Sequence, residues 1–439
     1  MKESVKIPQL HELAAIEPAA SSIAEDQLTY GNLDSALAAQ RGFEYPRYDK
    51  LYATAEGSVQ EEDKARALAR LYMVMSAQRI SDASSDASKE LWTNRFTQGA
   101  VELYGQPEVE VAKSISSKRT HDLITRAEDS GVDSQLVEHF RNMTDGLDFD
   151  ISIDRNERVD YRETARKVGE YITDRYADVF ETLGFDDRTD PIDAEEFSRA
   201  VERGFQVLAS SHDEDWKDWT VEREPDLKRL VTYAKLQKLV VGADRRPLAP
   251  SKAKGLFAHE ILVHGLRGVN GKKVSDSLLR GLPGYTEADE GLGVFMDYAV
   301  TGSMPEVIAD KYTDIALALG VVDGRMWPRK DMIELVSTRM LIQNELKDID
   351  EKETEGDVMS RALSHVNRIY RGTLGNEFVG VFTKDIAYFK GFISMADYIH
   401  TEIQNGKSVA EVIDYLMQGK FDPTKESHVA ELERLKHEK

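Results

Sequence analysis

The segment from Ser251 to Gly268, SKAKGLFAHEILVHGLRG, reads as one helix, and it carries two histidines, His259 and His264, five positions apart. That spacing constrains the local fold more than any other feature of the chain. Five residues of a regular α-helix turn through about 500°, which leaves the two imidazoles about 140° apart around the axis and facing no common point. A spacing of four leaves only about 40° and lets two side chains converge. For these two rings to meet, the turn must take in one extra residue as a π-bulge, a distortion found mostly at functional sites. A widened turn is therefore predicted at 260–264. Pro250 in front, Ser251 as N-cap, and Gly265 and Gly268 near the end frame the segment.

Composition narrows the chemistry such a turn can serve. The 439 residues include no cysteine, which excludes disulfides, thiolate ligands and thiol nucleophiles and leaves any metal to histidine and carboxylate. A net charge of -22 opposes general binding to nucleic acid or anionic membranes, because the summed field repels phosphates. Hydrophobic residues at 41% and charged residues at 31% are the balance of a folded globular chain. The first 22 residues, broken by prolines and acids, lack the apolar stretch of a cleaved signal, and no apolar run reaches the roughly 20 residues that span a bilayer. A cytoplasmic location without membrane partners is the resulting expectation.

Periodicity places the segment in a helix-dominated α+β chain with no internal repeat. Apolar residues recur at helical spacing over 61–81, 157–185 and 193–209, the last opened by an Asp193/Glu196 capping box. Ser81 to Ser88, SDASSDAS, reads as a turn or a helix start. Leu147, Phe149, Ile151 and Ile153 alternate with polar residues as a short strand, and Leu236 to Gly242 is a second strand before the polar ADRRPLAP. Helices are expected again at 305–320, 330–348, 354–368, 394–404, 408–418 and 423–439. Two regions follow: an N-terminal helical one over 1–150 and a catalytic one over 151–439.

Inside the histidine segment, Glu260 follows His259 directly, giving HEILVH. One reading is two packed histidines with a local Glu260–His264 pair. The other is a metal site related to HExxH, in which the glutamate is the general base and a later carboxylate or histidine is the third ligand. Glu290 in YTEADEGLGVFMDYA meets that need. Thr286 and Asp289 read there as a capping pair, and Leu292, Phe295, Met296 and Ala299 as the buried face, with Glu290 nearly opposite. Acids in a first helical turn complement its dipole, which suffices for Glu287 and Asp289. Gly291 and Gly293 beside Glu290 allow a closer approach than dipole compensation requires.

At these residues the chain resembles the tyrosine carboxypeptidase-like metallopeptidases, marked by HExxxH and a following (E/Q)EGLA. Here the motifs stand as His259-Glu260-Ile261-Leu262-Val263-His264 and Asp289-Glu290-Gly291-Leu292-Gly293. A third stretch, Arg371-Gly372 with Phe382-Thr383-Lys384-Asp385, Tyr388 and Gly391, is similar to the family too. The resemblance runs over roughly 60–400 and implies a zincin-like catalytic domain with Zn2+ on His259, His264 and Glu290 and Glu260 as base. It departs at Asp289 and Gly293, where the family more often has Glu or Gln and then Ala. Some members remove the C-terminal tyrosine of tubulin; the acidity of this chain argues for carrying over the reaction class and not that substrate.

The resulting expectation is a zinc carboxypeptidase acting on a peptide or protein C-terminus. Arg371, Lys384 and Tyr388 are the candidates for the substrate carboxylate and the developing oxyanion. Each also has a bland reading, two surface cations and a packed tyrosine. The other eight histidines, His121, His365 and His400 among them, are read as structural. Two rivals remain, a helical interaction protein braced by metal and a metal hydrolase of a non-peptide substrate.

Overall fold

The computed structural model describes residues 83–147, 160–225, 230–304, 306–347, 352–371, 373 and 378–438, with five more between 73 and 80. The chain visits two units in turn, 1–154 with 307–386 and 155–306 with 387–439. It begins in the first with α1 (Asp86–Tyr104), α2 (Val109–Asp129) and α3 (Ser134–Thr144). In the second follow α4 (Arg162–Arg175), α5 (Ala177–Leu183), α6 (Ala194–Val207), β1 (Thr220–Glu224), β2 (Leu230–Tyr233) and β3 (Lys238–Gly242). Next come α7 (Pro250–His259), α8 (Leu266–Val274), α9 (Asp276–Arg280) and α10 (Thr286–Thr301). The chain returns to the first unit with α11 (Glu306–Ala318), α12 (Arg329–Glu345) and α13 (Glu355–Tyr370), then ends in the second with α14 (Ile386–Gln404), α15 (Val409–Leu416) and α16 (Glu426–His437). This is a helix-dominated α+β architecture, and no helix among the described residues is long and apolar enough to cross a membrane.

In the first unit, Phe96, Ala100 and Leu103 of α1 bury against Met73, Ala77, Ile80 and Phe382. Ser85 caps α1 by accepting from the Ser88 amide at 3.3 Å, so the serine-rich stretch is a helix start. The linear reading drew one boundary near 150 and kept everything beyond it together. The structure groups α11–α13 with α1–α3, because their polar and packing partners lie there: the Tyr312 hydroxyl accepts from the Glu108 amide at 2.7 Å, and Arg119 pairs with Asp310 at 2.7 Å. Such pairs join residues about 200 apart in sequence, beyond the reach of periodicity. Asp314 is fully buried and takes both Arg339 nitrogens at 2.8 and 2.6 Å, with His365 Nε2 at 2.7 Å.

The second unit is built around a three-stranded sheet in the order β1-β3-β2, with β1 parallel and β2 antiparallel to β3. Leu239, Val240 and Val241 of the central strand are buried, and α6 packs on the sheet. Strand β3 starts at 238 because Ala234–Leu236 form a 3-10 turn and Gln237 adopts a left-handed φ of 51°. β1 and β2 were not legible. TVERE is mostly exposed and LVTY is half-buried without alternation, so neither shows a two-residue rhythm. The strand expected at 147–153 lies outside the described residues except for Leu147, as does most of the helix expected at 61–81.

Helix α10 packs against α4 and α7 in this unit, and it is buried from Gly291 through Tyr298. The single apolar face read from sequence is thus a helix enclosed nearly all round, while Ala299 is only half-buried. Beyond α15 the chain runs back beside α9, where Lys420 donates to the Leu278 carbonyl and Leu282 to the Lys420 carbonyl, each at 2.9 Å. Leu278, Leu282, Phe421 and Leu432 form a small core around that pairing.

Candidate metal centre

Helix α7 begins with Pro250, whose fixed φ suits the first helical position, behind Ala249 as N-cap. Ser251 therefore sits inside the helix and caps nothing. The helix ends at His259, and a π-helical turn from Glu260 to Gly265 joins it to α8, at the place where the five-residue spacing required a widened turn. Ile261, Leu262 and Val263 inside that turn are completely buried, so the distortion is held by packing.

The extra residue brings the rings together. The centroids of His259 and His264 lie 4.9 Å apart with their planes at 72°. Glu290 enters from α10, with Oε2 3.8 Å from His259 Nε2 and 3.7 Å from His264 Nε2. Among the described residues these three are the one group of three whose donor atoms lie within 4.8 Å of one another. Donors around tetrahedral zinc, each about 2.0–2.2 Å from the ion, stand about 3.3–3.6 Å from one another. The two separations to Glu290 need to contract by only a few tenths of an ångström. Two imidazoles and one carboxylate are a donor set of the type found in catalytic zinc sites.

The charges around the donors are strongly biased. Burial alone would raise Glu290, yet the neighbouring imidazoles of His259 and His264 hold it well below the usual carboxylate range. Burial likewise would lower His264, but Asp289 and Glu290 outweigh it and push the imidazole up to about 10. A buried and a half-buried carboxylate thus favour positive charge at the point where the three donors meet.

Asp289 corrects the sequence reading. It is 5% exposed, its Oδ2 stands 2.8 Å from His264 Nδ1, and its Oδ1 accepts from Arg267 Nη1 at 2.6 Å. Lys420 lies 3.8 Å away, and together with His264 and Arg267 it holds this carboxyl far below its usual range against the opposing effect of burial. The helix begins after Tyr285 with no side-chain cap, so Thr286 and Asp289 form no capping pair. Asp289 instead fixes the ring orientation of a donor, the service a carboxylate commonly gives a metal-binding histidine. Arg267, 1% exposed, also donates to the carbonyls of Gly419, at 2.8 Å, and Phe421, tying the C-terminal segment to the same point. The signal available in sequence was the family's preference for an acid or amide at position 289.

Glu260 is oriented from the sheet. Thr232 on β2 donates its hydroxyl to Glu260 Oε2 at 2.7 Å and lies 3.2 Å from the Glu260 carbonyl oxygen. Because β2 was not legible, neither was this threonine. The two glycines beside Glu290 have separate reasons. A Cβ at Gly291 would stand 2.0 Å from the Gly391 carbonyl carbon, where α14 crosses α10 backbone to backbone. A Cβ at Gly293 would stand 2.6 Å from His259 Nε2, so the donor ring occupies the space a side chain would take.

The substrate candidates are distributed over both units. Arg371 and Lys384 belong to the first and Tyr388 to the second. Arg371 lies 3.8 Å from Asp385 and 4.3 Å over the Phe382 ring. Asp385 also takes two bonds from Arg368, at 2.7 and 2.9 Å. Lys384 is half-buried in the 3-10 turn Thr383–Asp385, and Gly372 lies outside the described residues. Half-buried Tyr388 sits one turn before Gly391, on the stretch of α14 that meets α10. His121 is exposed, His365 holds Asp314, and His400 Nδ1 lies 2.8 Å from the Thr164 hydroxyl, so these three serve other places.

Comparison with curated proteins and with solved structures finds no match. Residues 155–309 and 352–437, more than half of the chain, match the family described as microtubule-associated tyrosine carboxypeptidase. Both motif segments, from His259 to His264 and from Asp289 to Gly293, fall inside the matched span. On that match the chain belongs to the microtubule-associated tyrosine carboxypeptidase family.

Proposed function

We propose that the protein is a zinc-dependent carboxypeptidase with a zincin-like catalytic unit, holding the ion on His259, His264 and Glu290. The observation that carries this reading is the convergence of the three donors across a π-helical turn, with their atoms within 4.8 Å of one another. Bound there, zinc would supply a Lewis acid that lowers the pKa of a water towards about 7 and polarises the scissile carbonyl. Glu260, next in sequence to the first donor, takes the water's proton on its carboxylate and delivers it to the leaving amine. Thr232 holds one carboxylate oxygen of Glu260 at 2.7 Å and so limits its rotation during that transfer. Asp289 keeps His264 turned so that Nε2 faces Glu290.

β2 is an edge strand of the sheet and contacts Glu260 through Thr232, so an extended peptide adding to that edge would pass beside the donors. Tyr388 is assigned as a hydrogen-bond donor to the reacting oxygen. The family's name supplies the reaction class, removal of a C-terminal residue, with tyrosine as the first to test. A net charge of -22 works against an acidic partner surface, so the microtubule association is not carried over.

The test is mass spectrometry of a peptide mixture incubated with zinc-loaded protein and with its Glu260→Gln variant. Single C-terminal residues should be released by the first and not by the second, at equal zinc content. Cleavage retained in Glu260→Gln removes the base from its role. Zinc bound without cleavage by either protein leaves the metal as a structural brace.

A further inference from the structure

A carboxypeptidase needs a cation for the terminal carboxylate, and the sequence offers Lys384 and, with a planar fork, Arg371. Its guanidinium already lies beside Asp385 and over Phe382. A different arginine has the required character. Arg245 sits in the turn between β3 and the metal-bearing α7, and its Nε and Nη1 are both buried without a hydrogen-bond partner among the described residues. Other buried arginines leave at most one nitrogen so placed, and Arg267 and Arg339 spend their forks on Asp289 and Asp314.

The backbone that carries Arg245 is held at both ends. The Ala243 amide donates to the Glu224 carbonyl at 2.9 Å, and the Arg245 amide to Gly242 at 3.3 Å. Beyond it, Leu248 and Ile192 exchange amide bonds at 2.8 and 2.7 Å, directly before Pro250 opens the helix. Burial pushes the guanidinium below its ordinary range, and the charge that opposes this is that of Glu260. Arg245 is thus close enough to feel the proposed base, while Oε2 of that base is taken by Thr232. A half-buried guanidinium whose Nε and Nη1 both lack partners is costly to keep and offers N–H donors to a carboxylate.

We propose that Arg245 binds the terminal carboxylate of the substrate peptide and so selects free C-termini. This rests on the carboxypeptidase reading and adds its recognition element. Tyr388 keeps the role proposed for it at the reacting oxygen.

The test uses two short labelled peptides ending in tyrosine, one with a free carboxylate and one with a C-terminal amide. Binding is read by fluorescence anisotropy on zinc-loaded Glu260→Gln protein, and KM and kcat on the active protein. With Arg245 intact the free acid should be preferred. Arg245→Gln should raise its Kd and KM by about 10–100-fold, the usual weight of hydrogen bonds to a charged group, and abolish the preference over the amide. Zinc content should not change, and kcat should change little. Arg245→Lys, which keeps the charge without the planar fork, should retain part of the preference and covers the case in which Arg245→Gln does not fold.

An undiminished preference in either folded variant overturns the proposal. So does a fall in kcat alone, which would place the guanidinium in the service of Glu260. If the acid is bound selectively through Arg245 but never cleaved, the catalytic reading fails and the recognition site stands. If amidated peptides are bound and cut equally well, the recognition site fails and the hydrolase survives.

Discussion

Asp289→Asn changes one atom and removes one charge at the point where the candidate metal centre, α8 and the C-terminal segment meet. One aspartate oxygen accepts from Arg267 at 2.6 Å, and the other stands 2.8 Å from His264 Nδ1. When His264 uses Nε2 as a ligand, Nδ1 carries a hydrogen, so both neighbours of residue 289 are donors. Asparagine offers one acceptor and one donor. Its amide nitrogen must face either the guanidinium or the imidazole N–H, and one contact turns repulsive. If Arg267 loses, a buried cation is left without its counter-charge, which costs about 3–5 kcal/mol of stability. If His264 loses, the donor ring is released, and loss of such an outer partner lowers metal affinity about 10–100-fold, or about 1.4–2.7 kcal/mol. The assay is zinc competition against a chromogenic chelator, paired with urea unfolding of the metal-free protein. A clear loss is expected in at least one of the two. A variant matching the parent within about threefold in zinc affinity and about 0.5 kcal/mol in stability would refute the assigned role of Asp289.

Thr232→Val keeps the shape of the side chain and removes the donor to Glu260; kcat should fall by about tenfold or more, with zinc content unchanged, in a peptide-release assay. Gly291→Ala drives a Cβ to 2.0 Å from the backbone of Gly391, so α10 and α14 must separate; thermal unfolding should show a loss of at least about 1–3 kcal/mol and weaker zinc binding. Asp314 is held well below the usual carboxylate range by Arg339 and His365 despite its burial. A depressed carboxylate contributes stability that is complete above its unfolded pKa near 4 and is lost as pH falls through the lower folded value. Asp314→Asn should cost about 3–5 kcal/mol at pH 7 by urea unfolding, and the gap from the parent should narrow below about pH 4. A gap that widens on acidification contradicts that sign.

The histidine spacing was informative because helical geometry leaves one local solution, and the π-turn at Glu260–Gly265 is that solution. Helices α11, α12, α13 and α15 and the capping box at Asp193 were legible for a similar reason, since their signals lie within a few residues. Helix α14 begins at Ile386, eight residues before the expected start, because its first two turns are apolar nearly all round and show no stripe. What escaped reading depends on partners remote in sequence. Asp289 resembles any acid in a first helical turn until Arg267 and His264 are placed beside it. Thr232 has no meaning without β2, and Arg371 looks like a spare cation until Asp385 and Phe382 surround it.

The most direct test of the account is zinc K-edge absorption spectroscopy on purified zinc-loaded protein, with metal content measured for His259→Ala, Glu290→Ala and Glu260→Gln. The expected result is about one zinc per chain, two imidazole nitrogens near 2.0–2.1 Å with oxygen completing the shell, loss of the metal in the first two variants and retention in the third. A shell without imidazole, or full zinc content in both His259→Ala and Glu290→Ala, would contradict it.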